Sequence, residues 1–395
     1  MRGWRRTRLG DCCQIVSGGT PRTNCPDYWD GDIPWATPKD LSELSGPYIT
    51  DTQRKITRAG LDSCAAEILP PGSVLFSSRA PIGYVAINTV PMATNQGFKS
   101  LVPDPKQVDS KFLYHWLRRN RLYLESLGRG ATFKEISKEV MAAVEIYLPP
   151  LDQQRRIAEV LDRAEALINS RRKSLTTLDG LIRTLFVDSF GDIAINTRRW
   201  PTIRLQELLT APPRNGVSPA KGGTANYNVL TLSAITGSEF DVTAVKNGSF
   251  VSIPGPQYMV DENDFLICRG NGNLDLVGRG HFPPYSMPGV IFPDTMIAIR
   301  LSADLVDKVF FEQMWNSPLV RHQIELLART TNGTYKINQT MLADITLVVP
   351  PIERQRKFGE QVSTIQQLKS KYRTSLVQFE ALYASLQHRA FKGEL

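Results

Sequence analysis

The feature that most constrains this chain is an internal duplication. The segment at 146–157 reads IYLPPLDQQRRI, and the segment at 347–358 reads LVVPPIERQRKF, 201 residues later and without a gap. The same shift superposes further leucines and arginines as far as Phe190 and Phe391. This period is far above the roughly 20 to 50 residues of solenoid repeats, so whole domains have been doubled.

Composition narrows the class of protein. At 395 residues, 42% hydrophobic and 22% charged, the chain has the length and makeup of a globular protein with two or three domains. No apolar run approaches the roughly 20 residues of a membrane helix, and the basic start lacks the apolar stretch of a signal peptide. We therefore expect a cytoplasmic protein that uses no membrane. The formal charge of +8 fits a polyanionic partner such as nucleic acid.

The duplication predicts four segments and an α+β fold. Mixed domains over 1–146 and 196–346 are rich in Gly, Pro and short β-prone runs, which predicts mostly antiparallel sheet with a few helices. Two of these helices are expected at 110–127 and 306–327. Spacer helices follow the domains, at 147–195 and 347–395.

The spacer helices carry a heptad pattern of apolar residues, which is typical of coiled coils. Each helix leaves its own domain and the linker from Asp188 to Trp200 is short, so the second helix can pair with the first only by running back. We therefore expect an antiparallel coiled coil between the two domains, with pseudo-two-fold symmetry. Arg171 and Lys369 interrupt the seams. They either fix the alignment of the helices or extend to solvent.

Two matched sets of polar and basic residues are candidates for binding. One loop precedes each spacer, with Arg129, Thr132 and Lys134 in the first and Arg329, Thr334, Tyr335 and Lys336 in the second. Lys, Arg and Thr suit phosphate oxygens, and an aromatic ring can stack on a base or pack in the core.

A second set follows predicted strands. Arg79 and Arg269 form a matched pair, each leaving a strand into a loop that contains glycine, and Asn271 lies in the second of these loops. Arginine is the commonest reader of guanine and a good phosphate ligand, although a salt bridge that only anchors the loop is the alternative. Lys39, Asn95 and Gln96 are further polar loop candidates.

Motifs for catalysis and for metal binding are missing from the sequence. The chain has no G-x-x-x-x-G-K-[ST], G-x-S-x-G or H-E-x-x-H string. Its five cysteines include no C-x-x-C pair, and no histidine stands at metal-ligand spacing. We therefore expect a chain that is not an enzyme, with no catalytic residue, metal or cofactor of its own.

These residues resemble the specificity subunit of Type I restriction-modification systems. The resemblance covers essentially the whole chain and is carried by the duplication and by the two [LV]-P-P-[LI]-x-x-Q-R segments at 148–155 and 349–356. It is also carried by the Trp-containing start of each half, and by the Gly-Thr loops before the helices. The string IPWAT at 33–37 fits the family's first recognition domain, whereas the second half has VLTL at 229–232 in its place.

The resemblance implies two target recognition domains, each reading one half of a split, asymmetric site on double-stranded DNA. It further implies two adenine methyltransferase (M) subunits as partners, with two restriction (R) subunits joining for cleavage. S-adenosylmethionine, ATP and magnesium would belong to those partners. A spacer of about 34 residues is roughly 50 Å long, against about 34 to 36 Å for one turn of B-DNA, so it could act as a ruler.

A second hypothesis comes from another class of protein. The chain could be a non-catalytic protein-interaction scaffold that joins two binding modules through a coiled coil, with its basic charge incidental. An adjacent methyltransferase gene would favour the first hypothesis.

Overall fold

The computed structural model describes residues 3–79, 81–130, 134–220, 222–331 and 333–395. The chain divides into a first unit, Met1–Leu175 with Lys371–Leu395, and a second unit, Thr176–Ser370. Each of two long helices contributes one half to each unit.

Over its described residues, the first unit contains three sheets and a set of short helices. Its strands are β1 (Arg5–Arg8), β2 (Cys13–Ser17), β3 (Trp29–Ala36), β4 (Tyr48–Ile49), β5 (Lys55–Ile56), β6 (Val74–Phe76), β7 (Val85–Asn88), β8 (Ala93–Thr94), β9 (Lys99–Pro103) and β10 (Glu145–Leu148). Its helices are α1 (Leu9–Cys12), α2 (Pro38–Ser42), α3 (Arg58–Asp62), α4 (Ser110–Arg119), α5 (Arg121–Leu127), α6 (Lys138–Ala143) and the start of the long α7 (Leu151–Phe190). The strand orders are β2-β9-β6-β7-β4, β5-β3-β8 and β1-β10.

The second unit repeats this plan with differences. Its strands are β11 (Thr202–Arg204), β12 (Leu209–Asn215), β13 (Ala225–Leu230), β14 (Val245–Phe250), β15 (Met259–Val260), β16 (Asp264–Cys268), β17 (Gly270–Asn271), β18 (Gly280–His281), β19 (Met287–Ile291), β20 (Met296–Leu301), β21 (Arg329–Thr331), β22 (Thr334–Lys336) and β23 (Thr346–Val348). Its helices are α8 (Ser233–Thr236), α9 (Lys308–Trp315), α10 (Pro318–Leu327), α11 (Gln339–Ala343) and the start of the long α12 (Ile352–Phe391). The strand orders are β12-β20-β16-β18, β14-β13-β19-β15, β17-β22-β21 and β11-β23.

Strand pairing follows the sequence prediction. Most pairs are antiparallel, while β3 with β8, β4 with β7 and β13 with β19 are parallel. Both domains are mixed, so the predicted α+β class with mostly antiparallel sheet is confirmed. The exact domain boundaries at 146, 195 and 346 stay predictions. Among the residues that the structure describes, a helix with the length and apolar character that membrane crossing requires is absent.

Two glutamines attach the long helices to their domains. In the first unit, Gln154 is fully buried; its Oε1 accepts from the Asp109 N–H at 2.9 Å, and its Nε2 donates to the Gln107 and Pro149 carbonyls at 2.9 and 2.8 Å. Every hydrogen-bonding group in that contact is thus paired, as burial requires.

The second unit repeats this contact. Gln355 is also fully buried, accepts from the Asp307 N–H at 3.0 Å, and donates to the Leu305 and Pro350 carbonyls at 3.2 and 2.7 Å. Asp307 in turn caps α9 by accepting from the N–H groups of Val309 and Phe310. The glutamine of the repeated P-P-x-x-x-Q string therefore fixes the angle at which each helix leaves its domain.

The long helices pair within each unit. In the first unit, Ile157 and Leu161 of α7 share a core with Ala390 of α12. In the second unit, the Phe186 and Phe190 rings of α7 lie 5.5 and 5.4 Å from the ring of Phe358 in α12. In both units the start of one helix meets the end of the other, so the predicted antiparallel pairing is confirmed.

The two basic residues in the seams are both held by partners. In the first unit, the Arg171 guanidinium lies 4.1 Å from the centroid of the Tyr372 ring. In the second unit, the Lys369 side chain is 7% exposed, and its Nζ lies 2.6 Å from Asp179 Oδ1 and 2.9 Å from Glu239 Oε1. Burial alone would lower the pKa of Lys369, but these hydrogen bonds outweigh burial and raise it. Lys369 therefore does not extend to solvent.

Two helix predictions need correction. The expected helix at 110–127 is two helices, because the Asn120 side chain donates to the Trp116 carbonyl and closes α4. The expected helix at 306–327 is likewise split, since Asn316 closes α9 on the Glu312 carbonyl and Pro318, which has no N–H, begins α10.

Candidate nucleic-acid interface

In the first unit, Glu135 and Ile136, which lie between α5 and α6, pair with the loop that follows β6. The Ser78 N–H donates to the Gly97 carbonyl at 2.7 Å, and the Ile136 N–H donates to the Ser78 carbonyl at 3.0 Å. Arg79 forms a β-bridge with Glu135. Three loops that are distant in sequence therefore meet, and they bring together the predicted residues Arg79, Asn95, Gln96, Arg129 and Lys134.

This meeting point carries more positive than negative charge. Glu135 Oε1 lies 3.0 Å from the Nζ of the buried Lys99, and its Oε2 lies 3.7 Å from Arg79 Nη1. Arg129 exchanges both backbone hydrogen bonds with Glu135, and Lys134 is exposed. One carboxylate thus faces several cations, and the surplus suits phosphate oxygens. Thr132, a further predicted residue, lies outside the described residues.

The remaining candidates of the first unit lie beside this point. Asn95 follows β8 and its Oδ1 accepts from the Gly97 N–H at 2.9 Å, so its side chain builds the turn. Gln96 is exposed and accepts a hydrogen bond from the Thr20 hydroxyl. Lys39 lies on α2, its side chain is 68% exposed, and its Nζ is 3.9 Å from Glu43. Gln96 and Lys39 are accessible to a ligand, whereas Asn95 has a structural task as well.

In the second unit, the predicted loop is a β-hairpin. Strands β21 and β22 pair with Arg329 opposite Lys336, and both of these side chains are exposed. Thr334 is half-buried, and Tyr335 packs partly into the core. Tyr335 therefore packs on the core with part of its ring, and stacking on a base stays a prediction.

Residues 269–271 line the other side of this hairpin. Asn271 lies opposite Tyr335, and its Oδ1 accepts from the Asn273 N–H at 2.9 Å. Arg269 is half-buried, and its Nη1 donates to the Asp294 carbonyl at 3.2 Å. Burial raises the pKa of the neighbouring Cys268 thiol to about 11, so this thiol stays protonated at neutral pH.

The predicted match between Arg79 and Arg269 is wrong by one residue. The Ile136 N–H donates to the Ser78 carbonyl, and the Ile337 N–H, 201 residues later, donates to the Arg269 carbonyl. Ser78 is therefore the residue that corresponds to Arg269.

The counterpart of Arg79 is Gly270. Arg79 bridges to Glu135, and Gly270 pairs with Lys336, again 201 residues later. Because successive residues of an extended chain point to opposite sides, Arg79 and Arg269 occupy different faces of their strands. Arg269 anchors its loop to a carbonyl, while Arg79 remains beside a distant carboxylate.

Sequence reasoning gave no role to Gln154 and Gln355, which attach the start of each long helix to the segment before α4 or α9. The signal was present, because both glutamines recur at the same place in a repeated string. What the string does not reveal is burial, which separates Gln154 from its half-exposed neighbour Gln153.

Comparison with known proteins identifies relatives. Residues 1–178 match the family described as the type I restriction modification DNA specificity domain. The MjaIX specificity subunit of Methanocaldococcus jannaschii is 38% identical over 191 residues, which are 48% of this chain and 44% of that relative. The EcoKI specificity subunit of Escherichia coli K12 is 23% identical over 340 residues, 80% of this chain and 73% of that relative. The chain therefore spans less than half the length of the first of these relatives.

Solved structures agree on the fold. The match to an S subunit of a Type-I restriction-modification system from M. genitalium covers 98% of this chain and 96% of that subunit, with a TM-score of 0.57 and 16% identity. The match to a structure described for the assembly and conformational transition of the type I R-M system covers 100% of this chain and 99% of that one, with a TM-score of 0.59 and 18% identity. The resemblance predicted from the sequence is confirmed, and so is the fold class.

Proposed function

We propose that this chain, which carries a type I DNA specificity domain and is similar to type I specificity subunits along its length, is the DNA sequence-specificity subunit of such a system. Each domain reads one half of a split, asymmetric DNA site. The observation that best supports this proposal is the recurrence, before each long helix, of a basic loop paired to a strand end, with different side chains in the two units.

The chemistry of these loops fits a division of labour on DNA. Exposed cations such as Lys134 and Lys336 supply affinity through phosphate contacts, which weaken as salt rises. A few groove contacts then discriminate between bases, at about 1 to 3 kcal/mol for each wrong base pair. Because the two sets of side chains differ, the two half-sites differ, and the complete site is not a palindrome.

Partners supply the chemistry in this proposal. The chain itself catalyses nothing, and it directs two adenine methyltransferase subunits to the site, with two restriction subunits joining for cleavage. S-adenosylmethionine, ATP and magnesium are bound by those partners. The chain acts where the host DNA lies, in the cytoplasm.

A selection from random DNA duplexes tests the proposal. The full chain, purified with its methyltransferase partner, is expected to enrich a split motif with two unlike halves at moderate salt. Arg129→Ala with Lys134→Ala should weaken one half, and Arg329→Ala with Lys336→Ala the other, because each pair belongs to one unit.

Arg163→Ala is the control for the loss of a positive charge outside the loops, since Arg163 is exposed on α7 and pairs with Glu159. This variant should leave both half-sites intact. A wild-type complex that enriches no motif would contradict the proposal and favour the scaffold hypothesis. Two double variants that weaken the same half would contradict the assignment of one half-site to each unit.

A further inference from the structure

Arg54 in the first unit is exposed and yet held in place. Its guanidinium carbon lies 3.6 Å from the centroid of the Trp29 ring and 5.6 Å from that of Trp35. The two indoles are buried and meet edge to face at 5.2 Å. The Arg54 carbonyl accepts from the Trp35 N–H at 3.2 Å and from the Thr52 hydroxyl at 2.6 Å. Both ends of this residue are thus fixed, which reduces the entropy that binding would cost.

The guanidinium keeps its hydrogen-bond donors available. Within the part of the chain that the structure describes, Arg54 has no carboxylate at ion-pair distance, whereas Lys55 pairs with Asp51 and Arg58 with Asp62. Stacking on an indole uses the flat face of a guanidinium, and the N–H donors lie in its plane. Arg54 can therefore offer two parallel donors to a ligand without breaking an internal contact.

Sheet topology puts Arg54 among the candidate residues. In the sheet β5-β3-β8, β8 is parallel and β5 antiparallel to β3. The end of β3, the end of β8 and the start of β5 therefore lie at one edge. Lys39 follows β3, Gln96 follows β8, and Arg54 precedes β5. The Gln53 N–H, which donates to Asp40 Oδ1 at 2.9 Å, ties these segments together.

The second unit lacks this arginine. Trp35 pairs with Ala93 between β3 and β8, and Val229 pairs with Ile291 between the corresponding strands β13 and β19. On the antiparallel side, the Trp35 N–H donates to the Arg54 carbonyl, and Val229 lies opposite Lys246. A lysine thus occupies the corresponding position, and because it lacks the two-pronged donor of arginine, such a contact by Arg54 belongs to the first unit.

We propose that Arg54, held on Trp29 and Trp35, contacts DNA in the half-site that the first unit reads. The inference rests on the proposed function. The DNA group that Arg54 binds would be a pair of adjacent hydrogen-bond acceptors. These are either O6 and N7 of a guanine or two oxygens of a backbone phosphate. The two sources differ in sequence dependence, so the same experiment separates them.

Arg54→Met is the test, because methionine still covers the Trp29 ring but removes the charge and the donors. The full chain with its methyltransferase partner is selected against random duplexes, and its affinity for the enriched site is measured across a series of salt concentrations. Arg58→Met is the matched control: Arg58 is an exposed arginine at the other end of β5, already paired with Asp62.

A guanine contact predicts that Arg54→Met loses roughly 10- to 100-fold discrimination at one position of one half-site. A phosphate contact predicts a uniform loss of affinity and a salt slope smaller by about one. Either result supports the proposal, provided that Arg58→Met retains wild-type binding. Arg54→Lys, which keeps the charge but lacks the two-pronged donor, serves as a second variant if Arg54→Met lowers the melting temperature.

Two other results are informative. A wild-type complex with a clear motif, together with Arg54→Met and Arg54→Lys that bind like wild type, overturns this inference and leaves the proposed function standing. A wild-type complex without sequence preference overturns the proposed function and this inference with it.

Discussion

The two units are alike where a domain joins its long helix and unlike where the candidate residues lie. Gln154 and Gln355 make the same three hydrogen bonds to corresponding backbone groups. At the strand ends, by contrast, Arg79 in one unit corresponds to Gly270 in the other. The junction between domain and helix has thus been kept, while the side chains at the strand ends have changed.

This contrast has a physical basis. A buried amide with three hydrogen bonds tolerates little change, because each lost partner leaves a buried polar group unpaired. An exposed side chain at a strand end is bound by no such requirement, and substitutions there usually cost little stability. A reader of DNA can therefore acquire new base preferences at the strand ends without disturbing the junction.

The largest expected effect is at the junction. Gln154→Ala and Gln355→Ala should each destabilise their own unit by about 2 to 4 kcal/mol, because each removes three hydrogen bonds and leaves the buried carbonyl of Pro149 or Pro350 without its partner. Hydrogen–deuterium exchange, read separately for peptides of the two units, checks this. Similar losses in both units would sharpen the comparison.

Gln153→Ala is the control, since Gln153 is half-exposed on the same turn of α7. It should change the free energy of unfolding by less than about 0.5 kcal/mol. If Gln154→Ala were equally mild, the junction would not be the shared element of the two units.

The next effect concerns the strand ends. Arg79→Ala should reduce discrimination in one half-site by about 1 to 3 kcal/mol, because its guanidinium lies 3.7 Å from the Glu135 carboxylate, too far for a strong internal hydrogen bond. Arg269→Ala should instead lower the melting temperature and leave base preference unchanged, because Arg269 bonds the Asp294 carbonyl. Binding to single-substituted duplexes and thermal unfolding distinguish the two. A loss of stability for Arg79→Ala and a loss of base discrimination for Arg269→Ala would contradict the proposed difference between the units.

The smallest effect is a dependence on pH in the second unit. The His281 ring bonds Glu312 through Nδ1 at 2.7 Å and the Gly237 carbonyl through Nε2 at 3.0 Å, and Glu239 lies nearby. Burial alone would lower the pKa of His281, but the hydrogen bond and charge of Glu312 outweigh it, so the pKa is raised. This contribution to stability is fully present below the unfolded value near 6.5 and is lost as pH rises through the folded value.

Denaturant unfolding at a series of pH values from about 5.5 to about 8.5 measures this effect across the ordinary histidine range. Glu312→Gln keeps a hydrogen-bonding side chain but removes the charge, so it should flatten the slope. Equal slopes for the wild type and this variant would place the pH dependence elsewhere.

The sequence predicted the elements that repetition and periodicity specify. The shift of 201 residues locates both long helices, and connectivity alone requires their antiparallel pairing. The match of Arg79 with Arg269 rested instead on their similar places after a strand, and it was wrong by one residue, because outside the spacers the two halves align only with local offsets. Hydrogen-bond register, which a single sequence does not encode locally, was needed to match Ser78 with Arg269.

Tertiary contacts explain what else the sequence left hidden. Arg54 and Arg58 look alike as exposed arginines in one segment, yet only Arg54 stacks on a ring 25 positions earlier in the chain. Asn120 likewise ends a helix whose apolar pattern continues, since one side-chain hydrogen bond outweighs the periodicity. Contacts between distant residues therefore decide which polar groups are free to bind.

The stacking of Arg171 on Tyr372 has a consequence for artificial chains. Arg171 and Tyr372 occupy the same position in the two halves, 201 residues apart, and they contact each other. A chain built from the first half twice would set one guanidinium against another, and like charges at that spacing repel. A chain built from the second half twice would instead meet ring to ring, which is a favourable contact. At this contact, a fusion of two first halves should therefore be less stable than a fusion of two second halves.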